Sequence, residues 1–397
     1  MDINRMLADR ARAVDASGIR RIFNLGAKLT DPINLSIGQP DFPAPEAVKR
    51  AAIEAIERDQ NGYTLTQGIG PLRDKLTEWL RADLGWDCAA PDGPGLAVTS
   101  GTSGALLLAF MALVEPGDEV IIPDPYFVMY PHLATMFGAA AVRCDTYPDF
   151  RMTAERVEPL MTDRTKLVLF NSPSNPAGTV SSKQDCADLL ELCRRKDVLL
   201  ISDEIYDEFT YPEAATDRLV APMPGKPEAR CPSPARLPGA AEHVLLVRGF
   251  GKTYGITGWR MGYCAGPRAL IEEIAKFQQY TFVCAPSMAQ WGAIAALDTD
   301  MSAQVAAYQR KRDMVIEALS PVTEVPTPGG AFYAFPAVPE GLGLTGTQFV
   351  EQCIERSVLV IPGGVFSDRD TRLRISYAAS DETLARGLPI IAELMAG

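Results

Sequence analysis

At 397 residues the chain is too long for one small core, so a large domain with a smaller companion, and a cleft between them, is expected. Hydrophobic residues make up 47% and charged residues 22%, ordinary globular values, and no stretch reaches the ~20 apolar residues that cross a bilayer. A net charge of −12 argues against nucleic acid or an anionic membrane as partner, so any cationic pocket must be local.

The opening MDINRMLADRARAVDASGIRRIF has no continuous apolar run and carries Asp2, Asp9 and Asp15, so no leader is read and a cytoplasmic location is expected. Ile3, Met6, Leu7, Val14, Ile22 and Phe23 recur near helical spacing, and NLSIGQPDFPAP then breaks the pattern. A helix followed by an irregular crossing segment is predicted over residues 1–44, joining the smaller domain.

From residue 45 to 285 short apolar runs alternate with helical stretches: LAVTS, DEVIIP, AAVRC, KLVLFN, VLLISD, VLLVRGF and RMGYCAG. The pattern predicts an α/β fold, with a mostly parallel seven-stranded sheet flanked by helices on both faces. Within it, residues 212–240 hold seven prolines and few large apolar side chains, and are read as a surface insertion. Residues 286–397 predict a smaller α+β domain. It begins with one long helix from Met288 to Leu319 and continues through AFYAFP, a helix near Thr347–Arg356, VLVIP, LRISYA and a last helix from Asp381 to Met395.

Eight cysteines are scattered without a CxxC pair, which suits reduced thiols. The two histidines, His132 and His243, have no partner motif, so neither a metal site nor a histidine triad is expected.

In open α/β sheets ligands collect beyond the carboxyl ends of strands, so polar residues following apolar runs are the candidates. Gly101-Thr102-Ser103-Gly104 follows LAVTS and opens a helix, where free N–H groups and the helix dipole suit a phosphate. Ser172-Pro173-Ser174-Asn175-Pro176 follows KLVLFN and reads equally as a simple turn, while Asp203-Glu204-Ile205-Tyr206 follows VLLIS and reads equally as a helix cap. The segment Arg248 to Gly262 is harder to dismiss, because Lys252 lies among glycines and aromatics after an apolar strand, where a lysine would be desolvated.

The order SNPxG, DEIY and K-T-x-x-x-x-G-x-R-x-G, preceded by a Gly-rich strand-to-helix turn, resembles the class I/II aminotransferases of the pyridoxal-phosphate fold-type I superfamily. The likeness runs from NLSIGQPDF near residue 34 to LRISYA near 373. The resemblance implies that pyridoxal 5'-phosphate is the cofactor and that Lys252 forms a Schiff base with it and then shuttles a proton. It implies that Asp203 pairs with the pyridine nitrogen and that Asn175 and Tyr206 hydrogen-bond the phenolic oxygen. Tyr126, in PDPYFVMY, falls at the aromatic that stacks on the ring; Gly101, Thr102, Ser103 and Arg260 fall at the phosphate. Arg374 falls at the substrate α-carboxylate, and Gly38 at the backbone lying over bound substrate. Tyr63 matches a tyrosine that reaches the phosphate of a neighbouring subunit, which implies a homodimer. Where many members have a serine three positions before the lysine, this chain has Gly249.

The reaction so implied is ping-pong transfer of an amino group between an L-amino acid and a 2-oxo acid. The same residues would also support a β-eliminating C–S lyase. A non-catalytic ligand-sensing module is a further alternative, although the DNA-binding region such regulators place before SIGQPDF is not expected here. A dinucleotide-dependent dehydrogenase is disfavoured, since no GxGxxG opens a helix after a strand.

Overall fold

The computed structural model describes residues 1–14, 18–19, 22, 29–223 and 226–397. Its centre is a seven-stranded sheet whose strands are the seven apolar runs: β1 (Gly95–Ser100), β2 (Glu119–Asp124), β3 (Ala140–Asp145), β4 (Thr165–Asn171), β5 (Leu199–Asp203), β6 (Val244–Gly249) and β7 (Met261–Gly266). The spatial order is β1-β7-β6-β5-β4-β2-β3. Only β7 runs antiparallel to its neighbours. Continuous burial along β4, β5 and β6 explains why these strands read as unbroken apolar runs rather than alternating ones.

The register sets the site. Asn171 pairs with Asp203, Asp203 with Val247, and Gly249 with Gly262, so the ends of β4, β5 and β6 and the start of β7 form one edge. Two hydrophobic clusters cover the sheet's faces. A third joins Ile22, Ile33 and Leu35 of the N-terminal segment to residues of the C-terminal part, including Phe332, Leu359 and Ile375. A short parallel pairing of Ile33–Asn34 with Val358–Leu359 makes the same connection through backbone.

Three expectations are corrected. The N-terminal segment is not one continuous helix: a 3₁₀ turn, Ile3–Arg5, precedes a short helix, Asp9–Ala13, with helical backbone again at Gly18, Ile19 and Ile22, while Phe23 lies outside the described residues. The long helix beyond residue 286 is two helices, Ser287–Leu297 and Ser302–Leu319. Between them, Asp300 accepts from the Ser302 N–H at 2.9 Å, a local turn that separates the two helices. The apolar side chains Ala289, Ala293 and Leu297 join a cluster on the large sheet, whereas Tyr308, Val315 and Leu319 join the third cluster. Packing therefore divides at 298–301 rather than at 286.

The Pro-rich stretch is the third correction, since it is a surface excursion only in part: the described residues of 212–229 are exposed or half-buried, but the chain then turns inward. Its last third buries Arg230, Cys231, Ser233 and Ala235. Arg230 and Arg236 converge with Arg248 on the fully buried Asp83, at 3.3, 2.8 and 2.6 Å. Burial pushes the Asp83 carboxyl up, but the three guanidiniums outweigh burial and hold it well below the usual carboxylate range. Arg248 also grips Glu204 through Nε and Nη2, at 3.0 and 2.8 Å, and Ser233 donates to the other Glu204 oxygen at 2.5 Å. A Pro-rich composition conceals this cluster because prolines and arginines read as loop chemistry. Arg230→Met should lower unfolding stability by about 3–5 kcal/mol in urea denaturation, the consequence of stripping a partner from buried carboxylates. A loss below about 0.5 kcal/mol would return the segment to the surface.

Candidate active site

At the shared strand edge lies a cavity of about 270 Å³. It is lined by Gly38, Gly101, Thr102, Ser103, Asn175, Asp203, Tyr206, Lys252, Arg260 and Arg374, all expected from sequence, together with residues that were not. A second cavity of about 230 Å³, bordered by Asp207, Lys226 and Arg230, contains none of these groups.

Lys252 follows β6 on a four-residue helix, Phe250–Thr253. Its Nζ donates to the Gly38 carbonyl and lies 6.0 Å from the Tyr206 ring centre and 5.9 Å from that of Phe332. Enclosure first, then the positive charges of Arg374 and Arg260, lower its amine to about 8. An appreciable fraction is thus neutral, and nucleophilic, near neutral pH.

Asp203 ends β5 and is buried. Burial raises its carboxyl to about 6, against the opposing hydrogen bonds from the Tyr130 hydroxyl at 2.8 Å and the Ile205 N–H at 3.3 Å. No arginine or lysine among the described residues forms an ion pair with it. Such a carboxyl can hold a cationic ring nitrogen in the charged form.

Arg374, on the strand Leu373–Ser376, is 1% exposed. Nη1 donates to Asn175 Oδ1 at 3.1 Å and Nη2 to the Ser36 carbonyl at 2.8 Å, while Nε has no partner. Burial pulls the guanidinium below its ordinary value, and no carboxylate among the described residues compensates it. A buried cation lacking an anion is poised for an anionic ligand.

The helix Gly101–Leu113 has no side-chain cap, so its first N–H groups face the cavity without a side-chain acceptor. Gly101 has φ of +68°, and a Cβ there would lie 2.6 Å from Arg260 Nη2. Gly262 lets β7 pass beneath this turn, since its Cβ would meet the Gly101 carbonyl carbon at 2.6 Å. Gly101 and Gly262 are thus explained by close packing around an anion cradle, whereas a Cβ at Gly258 would meet nothing within 4 Å. Gly249 fits likewise: a side chain there would meet Ile205 Cδ1 at 2.7 Å.

Two expected residues lie elsewhere. Tyr126 is buried outside the cavity, under the Arg143 guanidinium at 5.4 Å, and its neighbour Phe127 lines the cavity instead. Tyr63 is 90% exposed and away from the lining. Tyr130 and Tyr333 were missed, because tyrosines in apolar context read as core.

These residues fit pyridoxal phosphate: a partly neutral lysine, an unpaired buried carboxyl, an uncapped helix start beside an arginine, and an orphaned guanidinium nitrogen. The comparisons with known proteins agree. Residues 30–391 match the family model "Aminotransferase class I and II". The putative aminotransferase YugH of Bacillus subtilis is 37% identical, with 96% of each chain covered. A probable aspartate aminotransferase of Methanocaldococcus jannaschii is 35% identical, over 98% of this chain and all 100% of that one. The solved aspartate aminotransferase from Thermus thermophilus with maleate superposes with a TM-score of 0.87 at 32% identity, covering 98% of this chain and 99% of that one. The fold and cavity are those of an amino-group transferase with its site at a strand edge. The chain belongs to the class I and II aminotransferases.

The cavity's charges predict a pH signature. Because the folded Asp203 carboxyl titrates near 6, above its ordinary 3.8, the stability it supports is full below about 3.8 and lost as pH rises through 6. Asp203→Asn should therefore melt higher than wild type at pH 8 in the cofactor-free protein, with the gap closing below pH 4. Equal melting temperatures at pH 8 would show that this carboxyl is not under desolvation strain.

Proposed function

We propose that the protein uses pyridoxal 5'-phosphate to move an amino group from an L-amino acid to a 2-oxo acid in two half-reactions. The observation behind the reading is the pairing, in one cavity, of a lysine lowered to about 8 with a buried carboxyl raised to about 6. When bound, the cofactor supplies a carbonyl that accepts the amino group and a ring that withdraws electrons from the substrate Cα.

The chain's own groups do the rest. Lys252 anchors the cofactor and then, as a free amine, removes and returns the proton at Cα. Asp203 keeps a proton on the ring nitrogen, with Tyr130 fixing the carboxylate. Tyr206 and Asn175 address the phenolic oxygen, and Phe127 offers a face to the ring. The Gly101–Ser103 turn and Arg260 take the phosphate. Arg374 receives the α-carboxylate in its planar fork, while Gly38, a neighbour of the Tyr333 hydroxyl, leaves room above it. These groups recognise what every amino-acid donor shares.

A second copy of the chain is the proposed partner. Tyr63, Leu65, Tyr280, Phe282 and Val283 are exposed apolar side chains, from 39% to 90%. Thr64 and Thr66 accept from Gln290 and Gln278, which brings the two stretches together. Phe282 lies 3.8 Å from where a Gly104 Cβ would stand, so the patch adjoins the phosphate turn. A dimer through it would cover the patch and carry Tyr63 toward the neighbouring phosphate turn. Phe282→Glu should convert a dimer to monomer in sedimentation and weaken cofactor retention together; a wild-type monomer would dismiss this partner.

Spectroscopic half-reactions with each of the twenty amino acids test the function. Uptake of pyridoxal phosphate with a visible band, bleached by at least one donor and restored by a 2-oxo acid, is expected; no uptake, or pyruvate and ammonia without an acceptor, would reject transamination. Arg374→Lys should weaken donor binding roughly 30-fold, about 2 kcal/mol, and leave cofactor affinity nearly unchanged. Equal loss of both would move Arg374 out of the substrate site.

A further inference from the structure

Tyr333 stands between the two halves of this site. It belongs to the short strand Tyr333–Ala334, is 1% exposed, and lines the cavity. Its hydroxyl lies 2.9 Å from the Tyr206 hydroxyl, the only side-chain hydrogen bond Tyr206 makes among the described residues. Its ring lies under Arg374, whose guanidinium carbon is 4.5 Å from the ring centre. The two tyrosine rings meet edge to face at 88°, with centres 5.7 Å apart, so neither hydroxyl can swing away without disturbing the packing.

We propose that Tyr333 is a two-ended positioning residue, its hydroxyl directing the Tyr206 proton into the cavity and its ring seating Arg374. The inference rests on the pyridoxal-phosphate reading above. A hydroxyl has one proton to give. If Tyr333 donates to Tyr206, the Tyr206 proton is left to point at a ligand oxygen, and the two-link chain polarises it into a stronger donor. If Tyr206 instead gave its proton to Tyr333, the cavity would face a lone pair, which repels a phenolate. An anionic ligand oxygen selects the first arrangement.

The ring end is independent of the hydroxyl. Arg374 is held in its own plane by Asn175 and the Ser36 carbonyl, and Tyr333 and Phe366 provide its faces, with Phe366 at 4.7 Å from the guanidinium carbon. With no carboxylate partner among the described residues, those aromatic faces stabilise the buried charge before substrate arrives.

Tyr333→Phe and Tyr333→Leu separate the two ends. Phenylalanine keeps the ring and removes the oxygen; leucine removes both and approximates the volume. In the cofactor-loaded protein, Tyr333→Phe should raise the pH midpoint of the visible absorbance change by roughly half a unit, since a weaker Tyr206 donor stabilises the phenolate less and makes the neighbouring nitrogen more basic. The donor KM should stay within about twofold, because Arg374 is still seated. Tyr333→Leu should raise the midpoint similarly and raise the donor KM roughly tenfold. An unchanged midpoint in Tyr333→Phe overturns the hydroxyl role, and an unchanged KM in Tyr333→Leu overturns the ring role. Wild type that gives no visible band would instead refute the cofactor reading, so the two failures are distinct. Thermal midpoints of both variants serve as the control: a Tyr333→Phe protein whose absorbance shift disappears when compared at equal fractional folding would show a merely structural residue.

Discussion

The structure depends on removing an amine and a carboxyl from water within the same cavity without letting them neutralise each other. Lys252 is lowered to about 8 and Asp203 raised to about 6, opposite responses to the same enclosure. Neither is compensated by the other, since Lys252 donates to the Gly38 carbonyl and Asp203 accepts from Tyr130 and Ile205. A site of this kind is unstable alone and gains from a ligand that carries a carbonyl for the amine and a basic nitrogen for the carboxyl.

Holding such a site requires rigidity behind it. Glu204 follows Asp203 but turns to the opposite side, where Arg248 takes it with two nitrogens. Because Arg248 ends the same strand that leads to Lys252, this ion pair ties the end of β5 to the end of β6. Asp83 from the helix Gly70–Leu84, and Arg230 and Arg236 from the Pro-rich stretch, extend the clamp. At the front, Asp41 accepts from Tyr308 at 2.7 Å and pairs with Lys311 at 2.5 Å, anchoring the segment that contains Gly38 to the helix Ser302–Leu319. The cavity is thus braced from both parts of the chain.

What the sequence made legible follows from the same physics. The central strands announced themselves because burial on both faces leaves a nearly unbroken apolar run, and the edge strand Ala140–Asp145, mostly exposed or half-buried, by its short β-rich run between helices. Lys252 was legible among glycines, of which Gly249, Gly255 and Gly262 sit where close packing leaves little room for a side chain. The aromatic that reaches the cavity is Phe127 rather than its neighbour Tyr126, because the two lie in an irregular stretch with no period to say which side each faces. The long helix was drawn through 298–301 because its composition stays helical across a break marked by a local Asp300 turn. Tyr333 and the Asp83–Arg248 cluster were invisible for a different reason. Their partners are up to 165 residues away, and a buried polar pairing over that separation leaves no local pattern.

The most direct test of the central claim is chemical. The protein is incubated with pyridoxal phosphate, reduced with borohydride, digested, and its peptides are mapped by mass spectrometry. A single labelled lysine, Lys252, is expected, with labelling that rises as pH passes through about 8 and that is diminished in Asp203→Ala. Label spread over surface lysines with Lys252 unmodified would contradict it.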